Sequence, residues 1–218
     1  MKIEIVSDVV CPWCYVGKRQ IEAALARHAA QHPDAEKPQI IWKPFELNPT
    51  LPDEGMSRHA YVVAKFGPSR SKDVYARVTA VGVEHGIPFA FDKIERQPNT
   101  VAAHSLIALA AEEVDGSDLQ DRLVEALFKA YFIDGVDLTS NENLAAIAAA
   151  AGLDRQKVEQ CLADPAARIA VRDEERQALG MGVEGVPFVI FDRRLAVSGA
   201  QGADALLEAM RQTDTATA

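Results

Sequence analysis

The chain has 218 residues, 48% of them hydrophobic and 25% charged, and carries a formal net charge of −9 at pH 7. A chain of this length buries about 70% of its unfolded surface on folding, so it needs no disulfide or metal to hold it together. The negative charge argues against nucleic acid or an anionic membrane as the main partner.

The amino-terminal segment, MKIEIVSDVV, differs from a signal peptide. Glu4 and Asp8 interrupt its apolar residues, and no small-residue cleavage site follows. No uncharged run reaches the roughly 20 residues needed to span a bilayer. The three cysteines, Cys11, Cys14 and Cys161, are too few for a disulfide-stapled secreted scaffold. We therefore expect a cytoplasmic protein with no membrane partner.

The first part of the chain has a strand–helix–strand pattern. Residues 2–7 alternate in polarity and predict a strand. Pro12 suits the first turn of a helix, which apolar residues at helical spacing extend until Pro33. Residues 39–46 predict a second strand, in which Pro44 either leaves a gap in the hydrogen-bond ladder or marks an edge. The cysteine pair thus lies at the first strand-to-helix turn of a βαβ unit.

The middle of the chain is mainly helical in pattern. Helices are predicted at 57–66, 70–85, 99–113, 118–132, 154–162 and 165–179, with a short extended piece at 87–92. Thr139 and Glu142 resemble a capping box for another helix, which Gly152 ends.

β-Character returns near the carboxyl terminus. Residues 187–191 and 194–199 predict two strands, and residues 202–212 a last helix. We expect the tail, 213–218, to be frayed. The predicted layout is βαβ, a long helical block, then ββα.

The segment Cys11-Pro12-Trp13-Cys14 has three competing interpretations. A zinc site needs four ligands, and the other soft ligands are Cys161 and five scattered histidines, so we predict no metal. A structural disulfide closing so small a loop would add little stability. A redox pair is the third interpretation. A zinc-stabilised binding module or a holdase chaperone is the non-enzyme alternative.

The redox interpretation has a physical mechanism. A cysteine at a helix N-terminus faces unpaired backbone N–H groups and the positive end of the helix dipole, which favours the thiolate. Cys11 takes that position, and we predict that it is the exposed nucleophile. Cys14 lies one turn further on, where it is able to resolve a mixed disulfide formed on Cys11. A CxxC pair after a strand within a βαβ unit is typical of a thioredoxin-like redox motif.

Val186-Pro187 opens a predicted strand far along the chain. Only about 5–6% of X–Pro bonds in folded proteins are cis, so a trans bond is the default. With a CxxC pair at the other end of a thioredoxin-like sheet, we predict a cis bond here.

The sequence resembles the DsbA-like thioredoxin family, and more closely its FrnE branch of cytosolic dithiol–disulfide oxidoreductases. The matching segments are SDVVCPWCYVGKR (7–19), WKPFELNP (42–49), NTVAAH (99–104), LFKAYF (127–132), GVEGVPFVIF (182–191) and SGAQ (198–201). The resemblance implies an α/β thioredoxin fold, βαβ…ββα, with a large all-helical insertion. The core would comprise residues 1–56 and 180–218, and the insertion residues 57–179.

The resemblance also implies a site and a reaction. Pro187 would be cis and pack beside Cys11 and Cys14, and the substrate would be a protein or peptide that contains a disulfide or thiol. No cofactor is expected to be bound, and glutathione or another thiol is a candidate co-substrate.

The same superfamily includes 2-hydroxychromene-2-carboxylate isomerases and kappa-class glutathione transferases. These generally use a serine where Cys11 stands. The alternative function is therefore a glutathione-dependent isomerase or transferase acting on a small aromatic or polyketide-like molecule. The presence of both Cys11 and Cys14 favours dithiol chemistry.

Several other side chains are candidates for the site. The residues predicted to contact substrate are Pro12, Trp13, Val186, Asn99 and His104. The last two begin an insertion helix, where helix capping by Asn99 and a partly buried His104 are the plainer interpretation.

Two further side chains have competing interpretations. Asp8 either tunes the pKa of the cysteine pair or is a solvated strand end that caps the helix. Cys161 is expected to be an inert buried thiol. The physiological substrate, the direction of electron flow and the oligomeric state do not follow from the sequence.

Overall fold

The computed structural model describes residues 1–68, 73 and 75–215. In these residues the strands are β1 (Lys2–Ser7), β2 (Gln39–Pro44), β3 (Met56–Ser57), β4 (Arg96–Gln97), β5 (Phe188–Phe191) and β6 (Leu195–Ser198). The helices are α1 (Pro12–Gln31), α2 (Arg58–Phe66), α3 (Ala76–Glu84), α4 (Val101–Ala111), α5 (Gly116–Lys129), α6 (Asn141–Ala151), α7 (Arg155–Ala163), α8 (Pro165–Gly180) and α9 (Ala203–Thr215). A 3₁₀ turn spans Phe91–Lys93, and a π-helical turn, Ala130–Asp134, follows α5.

The main sheet has the strand order β2-β1-β5-β6. β1 runs parallel to β2 and antiparallel to β5, so that Ile5 lies between Trp42 and Val189. The parallel pair needs a crossover, which α1 provides. The sheet and the elements around it confirm the predicted thioredoxin fold. Pro44 is the last residue of an edge strand, as expected for a residue without a backbone N–H.

The helices cover both the sheet and its β2 edge. α9 packs against α1, β5 and β6, whereas α4, α5 and α8 of the insertion pack against β2. The insertion therefore lies beside the strand that follows α1, close to the end of the molecule at which the cysteines lie.

Ion pairs join α1 to α5. Lys18 is 2% exposed, and its ammonium group contacts Glu22, Asp121 at 3.1 Å and Glu125 at 3.5 Å. Burial alone would lower the pKa of Lys18, but the three carboxylates outweigh that effect and raise it. Lys18 is therefore a buried cation shared between the core and the insertion.

Aromatic and amide contacts reinforce this junction. The Tyr15 ring stacks on Phe128 of α5 with centroids 4.9 Å apart, and its hydroxyl donates to Glu125 at 2.8 Å. The Gln120 side chain bonds both backbone groups of Trp42 in β2, at 2.8 and 3.1 Å.

Among its described residues, the insertion departs from the all-helical prediction at a short strand pair. β3 and β4 form a two-residue antiparallel pair, Met56 with Gln97 and Ser57 with Arg96. The predicted extended piece at 87–92 joins no strand and ends in the 3₁₀ turn.

Several predicted helix ends also shift. The predicted helix 70–85 begins at Ala76 in the structure, and its first positions, 70–72 and 74, lie outside the described residues. Ser140, not Thr139, caps α6, because the Thr139 hydroxyl donates to Asp137 Oδ1 at 2.8 Å. In the tail, α9 continues to Thr215, and residues 216–218 lie outside the described part.

Candidate active site

The cysteine pair occupies the first turn of α1. Cys11 is the N-cap residue, Pro12 follows at the first helical position, and Cys14 lies one turn on, its N–H donating to the Cys11 carbonyl at 3.0 Å. The predicted placement of Cys11 at a helix N-terminus is confirmed. Its predicted exposure is wrong, because Cys11 is 5% exposed and Cys14 is 1% exposed.

The segment before β5 covers Cys11. The Val186–Pro187 bond is cis, as predicted, and the Cys11 thiol donates to the Val186 carbonyl oxygen at 3.7 Å. This contact comes from 175 residues further along the chain. The β1–β5 pairing, which aligns Val6 with Phe188, brings the segment to the end of β1 where α1 begins.

A glycine in α1 allows this close approach. A Cβ at Gly17 would lie 3.0 Å from Pro187 Cγ and 3.4 Å from its Cβ. Gly17 follows the motif by one helical turn, so it lies on the same side of the helix as Cys14. Only a residue without a side chain lets Pro187 pack directly on the helix.

The two thiols differ in environment. Burial raises the pKa of Cys14 well above its ordinary value, and the adjacent Cys11 thiol raises it further. The Asp8 backbone and the Ser7 hydroxyl oppose this rise. Cys14 is therefore a protonated thiol at neutral pH, which suits a group that acts second and needs a base.

A buried aspartate contacts the turn that carries the pair. Asp8 is 0% exposed, so the solvated-strand-end interpretation of it is wrong. Its carbonyl accepts from the Cys11 N–H at 3.0 Å, and its carboxylate accepts from the Leu47 N–H at 2.8 Å. His104 Nε2 lies 3.5 Å from Asp8 Oδ1, so the insertion helix α4 does reach the site.

Sequence reasoning missed a second buried acid, Glu46. Both of its carboxylate oxygens lack a hydrogen-bond partner among the described residues, and Arg172 Nε lies 3.5 Å away. Burial raises the pKa of Glu46, Glu175 and Asp8 add to the rise, and His104 and Arg172 oppose it. Glu46 lies within the matched segment WKPFELNP, which was the available signal.

A family model described as a DSBA-like thioredoxin domain matches residues 2–211. The chain belongs to this family. A probable DsbA oxidoreductase from Streptomyces coelicolor is 33% identical, with a TM-score of 0.84 over 98% of this chain and 89% of that one. The predicted membership of the DsbA-like family is confirmed. The narrower assignment to the FrnE branch stays a prediction.

Two more distant structures share the fold. A 2-hydroxychromene-2-carboxylate isomerase is 17% identical, with a TM-score of 0.68 over 97% of this chain and 95% of that one. The cytosolic disulfide reductase DsbM from Pseudomonas aeruginosa, solved with GSH, is 18% identical, with a TM-score of 0.64 over 97% of this chain and all of that one. The same fold thus occurs in both enzyme classes weighed above.

Trp13 and Asn99, the remaining predicted residues, contact other parts of the chain. Trp13 is half-buried, and the Arg77 guanidinium lies 5.7 Å from its ring centroid. Asn99 accepts from the Val101 N–H at 3.0 Å and donates to the Leu51 carbonyl at 2.9 Å, which is a capping role for α4.

Cys161 is distant from the motif in sequence and is half-buried. Its thiol donates to the Ser105 carbonyl at 3.6 Å. Burial raises the pKa of Cys161, with further contributions from Asp164 and Glu112. The raised pKa agrees with the predicted inert thiol, but the predicted full burial of Cys161 is wrong.

Within the described part of the chain, no group of three or more His, Cys, Asp and Glu side chains is arranged to bind a metal ion. Among the same residues, no helix combines the length and apolar character that crossing a membrane requires.

Proposed function

We propose that this protein catalyses thiol–disulfide exchange on protein or peptide substrates through Cys11 and Cys14. The observation that carries the proposal is the contact between the Cys11 thiol and the Val186 carbonyl, at the N-terminus of α1. Two cysteines one turn apart, beside the cis Val186–Pro187 bond that leads into β5, suit the binding of an extended peptide next to the sulfurs.

The exchange has two steps. The Cys11 thiolate attacks one sulfur of a substrate disulfide, forms a mixed disulfide and releases the other substrate sulfur as a thiolate. Cys14 then loses its proton and attacks the Cys11 sulfur, which forms the Cys11–Cys14 disulfide and releases the second substrate thiol. Two electrons pass from the dithiol to the substrate, and the reverse sequence oxidises a substrate dithiol.

The environment of Cys14 supports this order of events. Because its pKa is raised, Cys14 stays a thiol while Cys11 reacts, so the two do not compete for the same substrate. Glutathione or another thiol would restore the reduced pair after substrate reduction. We also propose a cytoplasmic location, which fractionation of cells that express the native gene would test.

The test compares two serine variants in the reduction of insulin and the oxidation of a reduced peptide. Cys14→Ser should accumulate mixed disulfides on Cys11, because attack occurs but resolution is lost. Cys11→Ser should abolish exchange, because an alcohol cannot form the intermediate. Cys161→Ser is the matched control and should exchange at the wild-type rate.

The alternative, glutathione-dependent turnover of an aromatic substrate, is measured on the same proteins. A serine-like mechanism at this position would leave Cys11→Ser active in that assay and would make Cys14→Ser neutral. Exchange activity that survives Cys11→Ser would refute the proposal.

A further inference from the structure

A cavity of about 800 Å³ lies in the insertion, between α2, α3 and the 3₁₀ turn after α3. Its size falls within the range of about 300–1,000 Å³ that is usual for small-molecule sites. None of the thiol chemistry described above uses it. Its walls combine stacked aromatic rings with one buried arginine, Arg58.

The aromatic wall is a stack of three rings. Tyr75 stacks on Phe91 with centroids 4.3 Å apart and an interplanar angle of 14°, and Phe91 stacks on Phe89 at 5.0 Å and 18°. Phe132 contacts the edges of this stack, at 5.4 Å from Phe89 and 5.9 Å from Phe91. A planar aromatic ligand would find preoriented ring faces and edges here, which adds to simple burial.

Arg58 provides a charge with no ionic partner. It is 7% exposed, and its guanidinium donates to three neutral oxygens, those of the Gln97 side chain, the Tyr75 hydroxyl at 2.6 Å and the Tyr131 hydroxyl at 3.5 Å. No carboxylate side chain lies within 4 Å of it among the described residues, which include every Asp and Glu of the sequence. Burying a charge without a counter-ion is unfavourable.

Neighbouring groups stabilise this cation without neutralising it. The guanidinium carbon lies 5.5 Å from the Tyr61 ring centroid and 5.0 Å from that of Tyr75, which are cation–π distances. Asp92 and His59 also line the cavity, but both are exposed and neither pairs with Arg58. The counter-ion is therefore expected from a ligand, and a carboxylate matches the fork of guanidinium donors.

The cavity adjoins the helix that carries the cysteine motif. Phe89 contacts the Tyr15 ring edge-on at 6.1 Å, and Arg77, next to cavity residue Ala76 in α3, lies over Trp13. We propose that this cavity binds a planar aromatic compound that carries a carboxylate, with the ring against the Tyr75–Phe91–Phe89 stack and the carboxylate on Arg58. The proposal does not depend on thiol–disulfide exchange.

Calorimetric titration of the full-length reduced protein tests this site with two probes that share a ring system. 2-Naphthoate carries the carboxylate, and 2-naphthylmethanol does not. We expect 2-naphthoate to bind with one-to-one stoichiometry and at least about tenfold more tightly, the ratio expected for one hydrogen bond to a charged group.

Three variants locate the binding. Arg58→Gln should lower the affinity for 2-naphthoate to that for the alcohol. Thr79→Phe, which fills the cavity and leaves Arg58 in place, should abolish the binding of both probes. Arg122→Gln, at an exposed arginine of α5, is the matched control and should bind as the wild type does. If Arg58→Gln fails to fold, the wild-type comparison and Thr79→Phe still decide the question.

Four results would overturn the proposal, and three of them come from the titrations described above. They are the absence of 2-naphthoate binding at millimolar concentration, equal affinity for the acid and the alcohol, and undiminished binding by Thr79→Phe. Displacement of 2-naphthoate by stoichiometric glutathione would also overturn it, because the cavity would then bind carboxylates without requiring an aromatic ring.

Discussion

Gly17→Ala tests whether close packing of Pro187 on α1 is needed for exchange. The new Cβ would lie 3.0 Å from Pro187 Cγ, whereas carbon atoms in good contact lie about 3.5–4.0 Å apart. Pro187 would therefore have to retreat by a few tenths of an ångström, and the Val186 carbonyl, now 3.7 Å from the Cys11 sulfur, would move with it. A misplacement of about 1 Å at a reacting centre costs up to about 100-fold in rate. Because the shift is a fraction of that distance, we expect kcat/KM for peptide exchange to fall by about 3- to 10-fold.

Stability should respond differently from activity. Alanine is favoured over glycine within a helix by about 1 kcal/mol, which offsets part of the strain at Pro187. We expect the free energy of unfolding, from urea titration, to change by less than about 1 kcal/mol. Gly180→Ala is the matched control, because its Cβ would meet nothing within 4 Å. Wild-type kcat/KM in Gly17→Ala would refute the reasoning.

Three further predictions concern Cys11, Glu46 and Asp8. Iodoacetamide should label Cys11 faster than Cys14 or Cys161 at pH 6–7, because burial raises the pKa of both others; mass spectrometry that finds Cys161 labelled first would contradict this order. Burial raises the pKa of Glu46, so the folded state binds its proton more tightly than the unfolded state does, and the stabilisation present at low pH is lost as the pH rises through the raised pKa. The free energy of unfolding of Glu46→Gln should therefore increase relative to that of the wild type as the pH rises above about 4.5. A difference between the two proteins that does not depend on pH would contradict this prediction. Asp8→Asn should destabilise the fold by about 1–3 kcal/mol, because both carboxyl oxygens of Asp8 accept a backbone N–H, from Val10 and from Leu47, whereas the amide has only one acceptor oxygen; an unchanged urea midpoint would contradict it.

The sequence predicted what depends on local pattern. Cys11 at the N-cap of α1 followed from a strand, a CxxC pair and a proline at the first helical position. The edge position of Pro44 was one of the two arrangements predicted from its missing N–H. Both results need only the physics of one strand or one helix end.

The sequence did not predict what depends on distant partners. The family resemblance predicted Pro187 beside the cysteine pair, but it did not predict that the Val186 segment would bury Cys11, because no local pattern encodes that cover. Asp8 is buried because Leu47 and His104 reach it from other elements. The N-cap of α6 shows the same limit on a small scale. Ser140 caps this helix instead of the predicted Thr139, because the Thr139 hydroxyl donates to Asp137.

The contacts between α1 and α5 bear on how the protein unfolds. Separating the insertion from the core would leave the Lys18 ammonium without Asp121 and Glu125 and would expose the stacked face of Tyr15. Each part would then expose unpaired charges or apolar ring surface to water. A state in which one part is folded and the other unfolded is therefore disfavoured. We expect a single cooperative transition, observed alike by tryptophan fluorescence and circular dichroism. The inserted helices are then part of the cooperative unit that positions the cysteines.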